Sequence, residues 1–298
     1  MSIRGPIRID VWKGDWGLPS VDLECLQFLA YIKINAIDMK ITNVNNPYFT
    51  PEGKLPVIRL KDRNISRFED LVKYMEDKNM NPDYGLNRKQ QAEAQAYRTL
   101  LKEKLFPALQ YVWWLDQNNE TGVTTPWYSR ILPIPFNFYY PGKFKREAEG
   151  MLTALFDNYE NDKDIESKVI GDAEKCLTAI SIRLGSSDFI FGSHPTSIDA
   201  TLYAYLAPLL KAPLRSTGLQ NHLKACTNLN KYVSRMSQRY FSQDYNEYEA
   251  KRKKEMKAQK EQVEQDPTLR RNQFIAVFVA LAAMYGYAVS TGALQKLH

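Results

Sequence analysis

The chain reads as a two-part fold, an α/β layer followed by an all-helical domain, ended by one membrane-spanning helix, and three observations predict it. Residues 7–75 alternate strand-like and helix-like hydrophobic spacing in the order βαβ and then ββα. From Asn87 to about Phe241 only helical spacing recurs. Phe274 to Leu294 is a run of 21 residues without a charge, bracketed by Arg270 and Arg271 before it and Lys296 after it. At about 1.5 Å per residue this run reaches roughly 31 Å, enough to cross a hydrocarbon core. It predicts a tail anchor, with the preceding domains and the arginine pair on the cytosolic side.

The elements follow in order. Ile7, Ile9 and Val11 alternate as a strand, and Gly14 and Gly17 loosen the chain before Pro19 and Ser20, where Ser20 reads as an N-cap. Val21, Cys25, Phe28, Leu29 and Ile32 then mark one face of a helix. A strand is expected at 36–42. After the Asn45, Asn46 and Pro47 loop, residues 55–60 and 64–66 form a hairpin around Lys61 to Arg63, and Phe68 to Met75 is a helix. A domain of about 80 residues in this order predicts a thioredoxin-like layer, because two parallel strands need a crossover helix and a hairpin supplies antiparallel ones.

Ala94, Tyr97, Leu101, Leu105, Ala108 and Val112 line a long helix reaching Leu115, with Pro107 expected to kink it. Further helices are expected at about 145–159, 164–185, 197–210, 219–225 and 228–241. The sharpest start signal is Thr196, with Asp199 three residues on, because an acid there can accept from the cap residue's own N–H. The domains are therefore expected at 1–80, 81–245, a charged linker at 246–273 and the anchor at 274–294.

Composition narrows the chemistry. Mean hydropathy is −0.45, and a quarter of the residues are charged, with a net charge of +6. The apolar run is thus an exception within a chain that otherwise reads as soluble. Met1 to Asp10 lacks the apolar core of a secretory signal. Cys25, Cys176 and Cys226 lie far apart, a reduced, cytosol-facing inventory, and His194, His222 and His298 have no metal-ligand spacing. No cofactor is expected, and no nucleic-acid motif is present.

A thioredoxin-like layer followed by helices resembles the glutathione-transferase fold. Lys54, Leu55, Pro56, Val57 and Ile58 resemble the strand start at which that family's cis-proline exposes backbone to the cysteinyl part of glutathione, and Thr196 to Asp199 resembles its capping box. The chemistry positions depart from the family. Where its members carry Ile-Ser-Glu-Ser to hold the γ-glutamyl group, this chain has Ile65, Ser66, Arg67 and Phe68. Arg67 reverses the charge offered to an ammonium, and Phe68 removes a hydroxyl. At the family's Ser, Tyr or Cys position stands Leu18. Losing two hydrogen bonds to charged groups, about 1.5 to 3 kcal/mol each, weakens binding by orders of magnitude. Leu18, Pro56, Arg67 and Phe68 thus mark a degenerate glutathione site with no catalytic residue.

The resemblance then narrows. Gly14, Asp15, Trp16, Gly17, Leu18, Pro19, Ser20, Val21 and Asp22 resemble the opening motif of metaxins. Asn46 with Pro47, Pro51 to Pro56, Glu103 to Leu105, Trp113 to Asp116, Trp127 with Tyr128, Phe191 with Gly192, and Pro195 to Ala200 follow in the same order. Arg270 to Gln273 and Leu281 to Ala288 are similar to the tail of the membrane-anchored metaxin. The resemblance implies a non-catalytic subunit of the mitochondrial outer-membrane sorting and assembly machinery, supporting import and insertion of β-barrel proteins. It implies as partners a second, unanchored metaxin and the machinery's β-barrel core subunit, with links to cristae-organising and motor-adaptor complexes. The rival readings are a tail-anchored glutathione transferase or peroxidase, and an adaptor between mitochondria and motors.

Two segments are candidate contacts. Pro126 to Phe144 carries Trp127, Tyr128, Phe136, Phe138, Tyr139 and Tyr140 among prolines, too proline-rich for a helix; its rings are either aromatic anchors on a rigid loop or a layer packed over the helical domain. Ala282, Gly286 and Ser290 form a small-residue face on which another membrane helix could pack. Between body and anchor, Glu247 to Asp266 carries acid–base pairs four residues apart, as a solvated helical spacer does, and the basic residues of Lys251 to Lys254 could also meet anionic head groups.

Overall fold

The computed structural model describes residues 6–44, 46–156 and 162–265. The chain divides into two compact units, Met1–Asn246 and Glu247–His298. The run 274–294, with Ala282, Gly286 and Ser290, lies outside the described residues.

The first unit opens with a four-stranded sheet in the order β2-β1-β3-β4, built from β1 (Ile7–Val11), β2 (Met39–Asn43), β3 (Val57–Arg59) and β4 (Asn64–Ile65). β1 runs parallel to β2, with Ile9 opposite Ile41, and antiparallel to β3, with Ile9 opposite Ile58. α1 (Leu23–Ile34) makes the crossover between the parallel strands, and α2 (Phe68–Asp77) follows the hairpin. This is the expected thioredoxin-like layer. Its first helix starts later than expected: Asp22, not Ser20, is the N-cap, and its carboxylate accepts from the Cys25 N–H at 2.9 Å. Ser20 is fully buried and accepts from the Asp22 N–H at 3.3 Å. The second strand also starts later, because Ala36 takes φ +52° and turns the chain before Met39.

The helical part comprises α3 (Arg88–Leu100), α4 (Phe106–Gln110), α5 (Gln117–Asn119), α6 (Thr125–Ile131), α7 (Phe136–Leu155), α8 (Asp162–Leu184), α9 (Ser197–Lys211), α10 (Gly218–Ala225), α11 (Thr227–Tyr240) and α12 (Ser242–Gln265). Pro107 cannot donate to an i→i−4 ladder. The chain answers with π-helical turns at Leu101–Leu105 and Tyr111–Leu115 on either side of α4. The expected aromatic loop at 126–144 is instead mostly α6 and α7. Pro126 sits in the first turn of α6, where an N–H is not needed. Pro141 stands inside α7, and the Asn137 carbonyl it leaves without a helical donor accepts the Ser129 hydroxyl at 3.1 Å. A proline inside a helix removes one hydrogen bond and crowds the carbonyl four residues back, and here the tertiary structure supplies that carbonyl with another donor.

α9 is the centre of the core, buried along Ser197–Leu209. It packs on α1, where Gln27 donates to the Thr201 hydroxyl at 2.9 Å. The Asp199 carboxylate accepts from the Thr196 N–H at 2.8 Å, the Thr196 hydroxyl at 2.9 Å and the Ile190 N–H at 3.1 Å, so the expected cap is a buried three-donor hub. The α12 helix crosses the expected linker, and within it Glu249 pairs with Arg252 at 3.8 Å. Among the described residues no helix is long and apolar enough to cross a membrane.

Candidate functional site

The segment between β1 and α1 is tightly wound. Trp16 and Gly17 take φ of +55° and +75°, and the Leu18 N–H donates to the Asp15 carbonyl at 2.9 Å. Asp15 pins this turn across the layers, accepting from its own neighbour Trp16 at 2.8 Å and from the Trp127 indole at 2.9 Å, with Arg130 at 3.4 Å. Gly14 is required by contact: a Cβ there would stand 2.3 Å from the Leu18 carbonyl oxygen and 2.7 Å from the Pro19 backbone. Gly14→Ala is expected to cost about 2 kcal/mol or more, because the atoms it meets are backbone and cannot swing aside. Chemical denaturation checks this, and an unchanged midpoint would show that the turn has slack.

Leu18, expected at the position of a transferase nucleophile, is buried, and so is Ser20. Cys25 lies one turn into α1, fully buried, and burial followed by the nearby Asp22 charge pushes its thiol up, so it stays protonated. Leu55 and Pro56 are joined by a cis peptide bond, as the resemblance implies. Arg67 is the exposed N-cap of α2 and makes no side-chain cap bond. Phe68 packs edge-on against Phe28 and Tyr31, with ring centroids 5.9 and 5.3 Å apart. A ring thus stands where a small hydroxyl would leave room for ligand. These four marked positions do not come together as one pocket, and none of them lines the cleft that remains.

The cleft has a volume of about 350 Å³ and lies between the sheet layer and the helices. From the first layer come Trp12, Asp22, Glu24, Lys54 and Leu55; from the helices come Phe106, Gln110, Trp114, Tyr128, Tyr140, Lys143, Phe144, Glu147 and Met151. Burial raises the Asp22 carboxyl against its hydrogen bonds to α1. Glu24 is exposed on one side, and partial desolvation by its neighbours, then the Asp22 charge, push its carboxyl up to about 7, with Lys54 opposing. Lys143 pairs with Glu147 at 3.8 Å and places its ammonium 5.9 Å from the Tyr140 ring centroid.

The expected aromatic contact residues divide. Trp127, Tyr128 and Tyr140 are buried, so for these three rings packing over the helical domain, and not contact with a partner, describes their place. They belong to a cluster joining the layers: Trp12 meets Tyr128, Tyr140 and Phe144 edge-on at 5.3, 6.1 and 6.2 Å. Phe138 and Tyr139 remain 75% and 54% exposed. Phe136 is half-buried and lies 5.7 Å from Tyr48, which with Phe49 adds two more exposed rings from another part of the chain. Sequence reading missed Glu24, Lys143 and Glu147 as cleft residues. Lys143 and Glu147 are an i,i+4 pair, but Glu24 lies more than 100 residues before them and shares no spacing signal with them.

Residues 25–145 match the family described as outer mitochondrial membrane transport complex protein, and residues 173–236 match the glutathione S-transferase C-terminal domain. Metaxin-1 of Mus musculus is 37% identical over 293 residues, covering 97% of this chain and 92% of that protein. The chain belongs to the metaxin family. Metaxin-3 of Xenopus laevis is 36% identical over 240 residues, 80% of this chain and 78% of that one. Solved structures show the same fold at low identity. A glutathione S-transferase of Ceriporiopsis subvermispora in complex with glutathione superposes with a TM-score of 0.55 at 14% identity, over 79% of this chain and 98% of that one. The beta-etherase LigF of Sphingobium gives 0.53 at 13%, over 83% and 100%. The thioredoxin-like layer and helical domain of this metaxin are therefore a glutathione-transferase fold.

Proposed function

We propose that this metaxin is a non-catalytic subunit of the mitochondrial outer-membrane sorting and assembly machinery, supporting import and insertion of β-barrel proteins. What carries the reading is kinship to metaxin-1 along nearly the whole chain, joined to the match with an outer-membrane transport family. The site chemistry supports it. Leu18 offers no nucleophile, Cys25 is buried and protonated, and Phe68, at the position the resemblance gives to a γ-glutamyl hydroxyl, packs on Tyr31.

In this reading 1–80 and 81–245 form the body, 246–273 is the spacer, and 274–294 is a single-pass anchor leaving the body in the cytosol. Ala282, Gly286 and Ser290 then face a neighbouring membrane helix. Phe138 and Tyr139, continued by Tyr48 and Phe49, offer an exposed aromatic face to a second, unanchored metaxin or to the β-barrel core subunit. Cristae-organising and motor-adaptor complexes are further partners.

Purification of the tagged full chain in mild detergent is expected to recover a β-barrel subunit and a second metaxin. The pair Phe138→Ser and Tyr139→Ser is expected to lower that recovery while leaving the melting temperature unchanged, since surface substitutions typically stay within about 0.5 kcal/mol. Absence of both partners from the wild-type material overturns the assembly role. Glutathione binding with a Kd of about 1 mM or tighter, with turnover, overturns the non-catalytic one.

A further inference from the structure

The cleft that remains after the glutathione position is filled has a lining of its own. Its volume of about 350 Å³ is that of a small-molecule site. Trp12, Trp114, Tyr128, Tyr140 and Phe144 give it an aromatic wall, and aromatic faces attract organic cations. The protein itself supplies a precedent, since the Lys143 ammonium already sits over the Tyr140 ring. Lys143 is matched by Glu147. Among the described residues, neither Asp22 nor Glu24 on the opposite wall has an ion-pair partner, and Lys54 stands beside Glu24 as the second cation of the cleft.

We propose that this cleft binds an organic ammonium joined to an anionic group, the chemistry of a phosphocholine head group. The cation is held by Glu24, Asp22 and the aromatic wall, and the anion is met by Lys54 and Lys143. The lining carries Asp22, Glu24 and Glu147 together with Lys54 and Lys143, so a ligand with both charges suits it better than a bare anion, which would face the three carboxylates. This site is separate from the assembly role and stands or falls without it.

The charged groups around Glu24 set the pH dependence. Asp22 at its own helix cap, Glu69 on α2 and the Tyr205 phenol on α9 face it, with Lys54 on the loop before β3 and Lys143 and Glu147 on α7 in the same cleft. Its carboxyl, held at about 7, is neutral in acid and charged in base. Binding of the cation therefore strengthens as pH rises from 6 to 8.

Trp12 and Trp114 line the cleft, so tryptophan fluorescence of the full chain in a maltoside detergent reports occupancy, with titration calorimetry alongside. Phosphocholine is expected to bind saturably, choline about fivefold more weakly, and inorganic phosphate not at all. Glu24→Gln is expected to weaken both organic ligands about tenfold and to flatten the pH profile, and Lys54→Gln to weaken phosphocholine about fivefold while leaving choline unchanged. Dihexanoylphosphatidylcholine below its micellar concentration separates the sources: binding tighter than phosphocholine assigns the site to lipid, weaker binding assigns it to the free ion, and either upholds the site. Phosphate binding as tightly as phosphocholine, an unchanged Glu24→Gln affinity, or no saturation with any organic ligand overturns it. A Glu24→Gln protein that fails to fold leaves the Lys54→Gln contrast and the wild-type pH profile to decide.

Discussion

Trp12→Ala is expected to destabilise the protein by about 3–5 kcal/mol, the loss typical of removing a large buried aromatic side chain. Trp12 is 4% exposed and leaves the end of β1 to enter the helical domain, where three rings meet it edge-on. Trp114 and Tyr128 close the same cluster at 5.4 Å. Ring pairs of this geometry add about 0.5–1.5 kcal/mol each beyond their buried area. Trp12→Phe keeps an aromatic ring and is expected to cost roughly half as much. Denaturant titration of the full chain measures both, and a Trp12→Ala loss below about 1 kcal/mol would show that the cluster does not join the layers.

Asp199→Ala is expected to cost about 2–4 kcal/mol at neutral pH. It orphans the Thr196 N–H, the Thr196 hydroxyl and the Ile190 N–H inside the core, and a buried donor left without a partner costs about 1–3 kcal/mol. Relief from burying a charge offsets part of this. Burial outweighs the three donors and pushes the Asp199 carboxyl up to about 6 from 3.8. Folding therefore favours its protonated form. This group's contribution is fully present below about pH 4, is lost as pH rises through 6, and is level above, a change of about 3 kcal/mol. Asp199→Asn, which cannot ionise, is expected to remove that slope, so its stability relative to the parent rises between pH 4 and 7. A pH-independent difference between the two would contradict the assignment.

Much of the body was legible in the chain because the signals are local. Strand alternation at Ile7, Ile9 and Val11 and the Thr196–Asp199 cap depend on residues within four positions of one another. The course of α7 through Pro141 was not legible, because the carbonyl that Pro141 frees is met by the Ser129 hydroxyl of α6. Nor did the sequence divide the rings of 126–144 into the buried Trp127, Tyr128 and Tyr140 and the exposed Phe138 and Tyr139. An aromatic side chain reads alike whether it faces a partner or another layer of its own chain.

The degenerate glutathione position divides in the same way. Set against the transferase motif that the chain resembles, Leu18, Arg67 and Phe68 imply a missing nucleophile, a reversed charge and a lost hydroxyl. The charge-free run 274–294 is likewise written in composition. The tertiary structure decided which residues line the cleft: Asp22 and Glu24 come from the start of α1, Trp12 from the end of β1, and the other rings, Lys143 and Glu147 from helical residues over 80 positions further on. Hydrophobic spacing reports the face a residue presents within its own element. Which faces from distant elements meet depends on how the layers pack, and that is where Glu24, Lys54 and Lys143 come together.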